Sequence, residues 1–256
     1  MNPGSGSSGG GCCMSYAEST LKDRSAIKRL LQRRRLHDAL ACIDERFSPE
    51  IIIDFGGGSG ELSKRLAVRF PEANIFCYEP CSWMIKEAEE NIVGTKRITL
   101  VSSVDQLPKG MCGLLYCNEV FEHFPPAEAE SAIGQIKGLL SDDGVAIIGV
   151  PIEIFIPALF KGAFRMTRRY GEYDARCSTV LRASLGIPAR DRPLDDMGPG
   201  LPFHIRHMGF DHRAFRKRLE RDFVILRTRT SPIPWLGTFL NNEIYYILRK
   251  ADGVPG

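Results

Sequence analysis

The sequence has no apolar run long and clean enough to be read as a membrane-spanning helix. Its least polar stretch, "GVAIIGVPIEIFIPALF" (144–160), is interrupted by Pro151, Glu153 and Pro157, and such breaks disqualify a spanning segment. Its eight cysteines include no CxxC pair, which argues against a zinc ribbon or a thioredoxin-like redox motif. Cys77, Cys81, Cys112 and Cys117 lie in or beside apolar, strand-like runs, where free thiols buried in a reducing compartment are expected. The opening "MNPGSGSSGGGCCMS" lacks the basic start and apolar centre of a secretory leader. Its Gly/Ser composition predicts a disordered tail over residues 1–20, and 251–256 reads as a second tail. There is no internal repeat. Net charge is only +3, nearly balanced, and says little alone; the thiols in a reducing compartment point to a cytoplasmic protein.

What the chain does have is enough material for one domain. Its 256 residues are 43% hydrophobic and 25% charged, the proportions of an ordinary globular protein with a sizeable core. We place that domain at 21–250. Basic residues are clustered at Lys22–Arg35, Lys161–Arg169 and Arg206–Arg229. These are either solvated helix faces or surfaces for phosphates or an anionic membrane.

The order of elements is informative. Apolar residues Ile27, Leu30, Leu31, Leu36, Leu40 and Ile43 predict an amphipathic helix within 21–47. "EIIIDF" reads as a buried strand. "GELSKRLAVRFP" reads as a helix ended by Pro71, "NIFCYEP" as a strand, and "CSWMIKEAEENI" as a helix starting at Ser82. "ITLVSS" and "GLLYCNEV" read as strands, "PAEAESAIGQIKGLLSDDG" as a helix closed by Gly144, and "VAIIGVP" as a fifth strand. This alternation predicts a doubly wound α/β fold. After an insertion at 153–203, "DHRAFRKRLERDFVILRTRT" and "NNEIYYILRK" supply a helix and two strands. Those strands are expected to pair as a hairpin near the sheet edge, joined by "SPIPWLGTFL".

The stretch "IIIDFGGGSGEL" places Gly56, Gly57, Gly58 and Gly60 directly after the first strand. A glycine turn leading into a helix lets backbone approach a ligand at the helix N-terminus. A dinucleotide fingerprint would need a third glycine where Glu61 stands, so a nicotinamide cofactor is disfavoured. The pattern present, Asp54-x-Gly56-x-Gly58-x-Gly60, resembles that of class I S-adenosylmethionine-dependent methyltransferases, well over 51–151 and loosely outside. That resemblance implies a Rossmann-like, mostly parallel seven-stranded sheet with an N-terminal helical extension and a lid insertion after strand five. It implies S-adenosylmethionine as cofactor, with Gly56, Gly57, Gly58 and Gly60 closing over its amino-acid end and Asp54 orienting its ammonium. Glu79 in "CYEP" would accept from both ribose hydroxyls, since a carboxylate is acceptor-only and can take two donors. Pro80, Met84 and Asn118 would line the same site, and Trp83 is either a neighbour there or plain core. Ser103 and Val104 would meet the adenine, although the family often has Asp at the position of Ser103; Asp105 is an alternative.

"NEVFEHF" follows strand four at the carboxyl edge of the sheet, where open α/β proteins bind ligands. In a turn of helix Glu119, Glu122 and His123 would share a face. The E-x-x-E-H spacing resembles that of small-RNA 2′-O-methyltransferases, which implies a Mg²⁺ or Mn²⁺ site completed by His207, or secondarily by His204. It also resembles ubiquinone-pathway O-methyltransferases. Without metal, His123 is a candidate general base with an ordinary pKa suited to the task. Glu119, Glu122, His123 and His207 are therefore the catalytic candidates, while His37 and His212 are assigned surface or structural positions. The insertion places Phe155, Leu159, Phe160, Phe164 and Met166 beside Lys161, Arg165, Arg168, Arg169 and Arg182. These residues either grip an amphiphile or a membrane surface, or form a lid core with solvated arginines. The expected acceptor is an oxygen of a small molecule, glycan or lipid-linked substrate, with peripheral contact to the inner membrane face. The alternatives are an RNA methyltransferase, for which no separate RNA-binding module is visible, and a non-catalytic scaffold.

Overall fold

The computed structural model describes residues 26–44, 46–187, 189, 191–196 and 202–251. The expected terminal tails, apart from Ala251, lie outside them. Helix α1 (Ala26–Leu40) precedes strand β1 (Ile51–Phe55). Helix α2 (Glu61–Arg69), β2 (Asn74–Tyr78), α3 (Ser82–Ile92), β3 (Ile98–Val101) and β4 (Cys112–Asn118) follow. Helix α4 (Pro126–Leu139) leads into β5 (Leu140–Pro151). The insertion holds α5 (Phe155–Arg169), α6 (Cys177–Ser184) and a short ladder of β6 (Asp195–Asp196) with β7 (Pro202–Phe203). Helix α7 (His212–Leu219), β8 (Phe223–Ser231), α8 (Gly237–Leu240) and β9 (Glu243–Lys250) complete the described chain.

The main sheet has seven strands in the order β3-β2-β1-β4-β5-β9-β8. Strands β1 to β5 are parallel, and β9 is antiparallel to both neighbours. This is the expected doubly wound fold. Both sheet faces are buried, which is why the strands read as continuous apolar runs. Ile53, Leu115, Ile148 and Tyr246 pack under α4 and α7. Ile52, Leu114, Tyr116 and Ile147 pack under α1 and α2 with Leu62 and Leu66. Cys77, Cys81, Cys112 and Cys117 are free and buried, as expected.

One boundary differs. Gly144 does not close α4, which ends at Leu139; Gly144 lies inside β5. The β4–β5 register shifts there, from Cys112↔Leu140 to Leu114↔Val145. A Cβ on Gly144 would sit 2.5 Å from the Cys112 carbonyl oxygen. The glycine therefore permits close approach at an irregular ladder.

In the insertion two of the cations face neither a ligand nor solvent. Lys161 and Arg165 turn inward onto Glu153, at 3.0 and 2.9 Å. Arg169 pairs with Asp174 at 2.6 Å. A buried carboxylate is tolerable when such cations satisfy it, and they hold Glu153 well below the usual carboxylate range against the cost of burial. Met166 packs inward with Val180. Among the described residues no helix is long and apolar enough to cross a membrane.

Candidate active site

A cavity of about 340 Å³ opens at the carboxyl ends of β1, β2 and β4. Its lining includes Phe55, Gly56, Gly58, Glu79, Pro80, Met84, Asn118, Glu119 and His123. The glycine turn is stitched to the tip of β2, because the Gly56 and Gly57 N–H groups donate to the Tyr78 carbonyl at 2.8 and 2.9 Å. Gly56, Gly58 and Gly60 all have left-handed backbone, with φ of 75°, 54° and 74°. A Cβ at Gly56 would lie 2.5 Å from Val120 Cγ2. We expect Gly56→Ala to destabilise the fold by about 1–3 kcal/mol. That would lower the melting temperature by roughly 2–4 °C per kcal/mol in calorimetry.

Glu79 sits at the mouth of this turn. Its Oε2 accepts from the Gly58 N–H at 3.0 Å and its Oε1 from the Cys81 N–H at 2.9 Å. Burial pushes its pKa up to about 7, against those two hydrogen bonds. Both oxygens keep lone pairs for further donors. Asp54 lies under the turn, outside the lining, where its Oδ2 accepts from Ser63 Oγ at 2.7 Å. Burial raises it to about 6. Gly57 and Gly60 are also outside the lining. Gly57 has no room for a Cβ beside Cys77 Sγ, and Gly60 caps α2. Asn118 lines the cavity with both side-chain polar atoms buried and lacking hydrogen-bond partners. A buried amide without partners is costly unless a ligand completes it.

At the adenine end two expected residues lie outside this lining. Ser103 and Val104 do not line the cavity. Ser103 Oγ instead caps a 3₁₀ turn by accepting from the Asp105 N–H, and Val104 packs on the sheet core. Asp105 is exposed and paired to Lys109 at 3.3 Å. Met84 lines the cavity, whereas Trp83 does not.

"NEVFEHF" does not form the expected α-turn. Glu119 has φ 55° and the 3₁₀ turn covers Phe121–His123. Glu119 is not part of the converging ligand group, and its Oε1 meets Arg35 Nη1 at 2.5 Å. Arg35 also holds Glu243 Oε1 at 2.7 Å, tying α1 to the cavity rim. Burial raises Glu243 to about 7, opposed by Arg35. The converging group is Glu122, His123 and His207, whose ligand atoms all lie within 4.8 Å of one another. Glu122 is fully buried with neither oxygen hydrogen-bonded. Burial first, and then Glu119, push its pKa well up. His123 Nδ1 lies 2.9 Å from the His204 carbonyl. A carbonyl only accepts, so Nδ1 carries the hydrogen and a neutral ring has its lone pair on Nε2. Burial lowers the His123 pKa to about 4 and holds His207 well below its usual value. His204 is joined to this group only through its backbone.

Sequence reasoning missed the parts supplied by distant segments. Phe203 stacks on His123 with centroids 4.0 Å apart. The Arg192 guanidinium donates to the Glu122 and Arg206 carbonyls, and so pins the insertion over the turn. Gln32 of α1 and Glu128, Ser131 and Gln135 of α4 also line the cavity. Nothing local in the sequence marks any of these. His37 is exposed and His212 is buried outside the cavity lining, where burial lowers its pKa to about 4.

A family model described as a methyltransferase domain matches residues 23–218. The chain belongs to the class I S-adenosylmethionine-dependent methyltransferases. This methyltransferase is 29% identical over 153 residues to a malonyl-[acyl-carrier protein] O-methyltransferase of Geobacter sulfurreducens. The match spans 57% of this chain and 55% of that relative. Its fold is similar to the PH0226 protein of Pyrococcus horikoshii, with a TM-score of 0.57 at 10% identity, covering 92% of this chain and 96% of that one. It is also similar to the N-methyltransferase NodS of Bradyrhizobium japonicum in complex with S-adenosyl-L-homocysteine. There the TM-score is 0.55 at 12% identity, covering 90% of each chain.

Proposed function

We propose that the methyltransferase transfers its methyl group to a hydroxyl oxygen of a small-molecule, glycan or lipid-linked acceptor, with His123 as the general base. The supporting observation is the His123 ring on the cavity wall, with Nδ1–H committed to the His204 carbonyl and Nε2 unprotonated; burial, which lowers its pKa to about 4, keeps the ring neutral but makes it a weaker base than the ordinary imidazole expected from the sequence. The glycine turn, the Glu79 carboxylate, Pro80, Met84 and the unpartnered Asn118 amide fit the cofactor. When bound, S-adenosylmethionine supplies a methyl already activated on a sulfonium. The residues then have modest tasks. Glu79 orients by accepting from hydroxyls, Gly56 and Gly58 admit close backbone approach, Gly57 and Gly60 shape the turn, and Asp54 braces it from below. Phe203 and the insertion exclude water, and Nε2 of His123 takes the acceptor proton. An RNA acceptor is less well supported, because many of the cations are already engaged internally. Arg34 pairs with Asp38, Arg165 with Glu153 and Arg206 with Glu172.

The test is incubation with methyl-labelled cofactor and separate lipid, soluble-glycan and acyl-carrier-protein fractions. Label that resists mild base shows an ether, as expected for a hydroxyl acceptor. Base-labile label on an acyl carrier protein would show a carboxylate acceptor and sink the His123 role, since a carboxylate needs no base.

One observation favours a second reading. The orphaned, buried Glu122 beside two imidazoles is a donor set for a divalent ion, with the His204 carbonyl orienting His123 from behind. One carboxylate with two imidazoles suits Mn²⁺ or another first-row ion better than Mg²⁺, which prefers oxygen ligands. Bound metal would occupy His123 and polarise the acceptor itself. Elemental analysis of the purified protein separates the two readings. About one metal per chain, lost in Glu122→Gln, would replace the base reading; metal-free protein whose activity survives chelator retains it.

A further inference from the structure

Helix α5 has inverted polarity. Its inward side carries Lys161 and Arg165, committed to Glu153. Its outward side carries Leu159, Phe160 and Phe164, exposed at 44, 66 and 58%. Phenylalanines one helical turn apart on a water-facing surface are unfavourable unless something covers them. The connector between β8 and β9 continues this surface. It packs beside α5, since Lys161 Nζ also reaches the Asn242 carbonyl at 3.3 Å. Its tip exposes Trp235 at 82% and Phe239 at 63%.

This tip is a built feature. Fully buried Asn241 pins its base, accepting from the Ile233 N–H and donating to the carbonyls of Ile233 and Gly237 and to Thr230 Oγ1. The polar bonds hold an uncharged apolar loop outward. Helix α1 lies alongside, with Arg34 donating to the Pro232 carbonyl at 3.3 Å. Arg33 and Arg34 are exposed there, and the Arg168 guanidinium sits over the Phe164 ring at 4.8 Å. Across α1, α5 and the connector (232–242) the one carboxylate is Asp38, which is buried and paired. The strand pairing Pro151↔Glu243 puts the connector at the carboxyl end of the sheet. Gln32 of α1 lines the cavity itself. The apolar, cation-flanked face therefore adjoins the cavity mouth.

We propose that this face docks on an anionic lipid surface, with Trp235, Phe239, Phe160 and Phe164 entering the interface and Arg33 and Arg168 meeting headgroups. An exposed tryptophan among phenylalanines, flanked by arginines and free of exposed acid, matches the chemistry of such a surface. Docking presents the cavity to an acceptor carried in the membrane. The binding itself does not depend on which acceptor is methylated.

The experiment uses Trp83→Phe protein, in which Trp235 is the remaining tryptophan and is excited selectively. It is mixed with vesicles of phosphatidylcholine alone or of phosphatidylcholine with phosphatidylglycerol. The expected result is a blue shift and co-flotation with the anionic vesicles, weakened by salt. Trp235→Ser with Phe239→Ser, assayed by flotation, should lower vesicle binding at least about tenfold while leaving S-adenosylhomocysteine affinity and melting temperature unchanged. Unchanged emission with anionic vesicles at low salt overturns the proposal, as does undiminished binding by the variant. A dimer in sedimentation that this variant abolishes, without vesicle binding, would make the face an interface between copies and also overturn it.

Discussion

Glu79→Ala is expected to weaken S-adenosylhomocysteine binding by about 10²- to 10⁴-fold. Each hydrogen bond from a ligand hydroxyl to an ionised carboxylate is worth about 1.5–3 kcal/mol, and two ribose hydroxyls would be lost together. The same change frees the Gly58 and Cys81 N–H groups that Glu79 now holds, so the turn loosens as well. Calorimetric titration measures the loss, and circular dichroism checks that the variant is folded. Near-native affinity in a folded variant would remove Glu79 from the site. The wild-type protein carries a second signature of the same residue. Burial raises the Glu79 pKa to about 7 from its ordinary 4.5. Between those values the folded carboxyl keeps a proton that the unfolded chain releases, so its contribution to stability falls as pH rises through that window. Cofactor binding has the opposite slope, because donor hydroxyls favour the ionised form. Affinity should rise about tenfold between about pH 6 and about pH 8, and the Glu79→Gln variant should lose that slope.

His123→Ala is expected to lower kcat by about 10²- to 10⁴-fold, the range for a positioned general base. S-adenosylhomocysteine affinity should change little, since Glu79, Asn118 and the glycine turn remain. The ring has a second task, because it stacks on Phe203 and bonds the His204 carbonyl. Phe203→Leu separates the two. Loosening the insertion raises KM and lowers kcat together, whereas losing the base lowers kcat alone. Nitrogen NMR of labelled histidine reads the tautomer directly and should find hydrogen on Nδ1. A His123→Ala enzyme with full kcat would end the base assignment and leave Phe203 and the insertion as the parts that matter there.

The half of the site that rests on local chain geometry was legible from the residues. A strand, four glycines and a helix must bring backbone to one point, and the next strand tip must place Glu79 opposite. Burial on both faces made β1, β4 and β5 readable as apolar runs. Most of the misreadings share a cause. Glu119 was assigned to a helical face, but a left-handed residue breaks the turn and Arg35, 84 positions away, captures its carboxylate. Ser103 was given to a ligand, yet its hydroxyl closes its own turn. Gly144 looked like a helix stop, whereas a neighbouring carbonyl demanded the missing side chain. The inward Lys161 and Arg165 followed from buried Glu153, whose depth only the assembled sheet defines. For Glu119, Gly144 and the two inward cations a long-range partner decided what a short-range pattern left open; at Ser103 the competing partner is local, the Asp105 N–H.

The position of β9 has a consequence for how the molecule is made. This strand is synthesised after the other eight, yet it lies between β5 and β8. It also delivers Glu243 to Arg35, which holds α1 against the cavity rim. The first described helix and the last described strand must therefore meet before that rim is finished. A nascent chain can form the glycine turn early, but it cannot present a complete mouth to ligand until β9 has been translated and inserted. Ligand should accordingly rescue folding only late, after the sheet interior has closed.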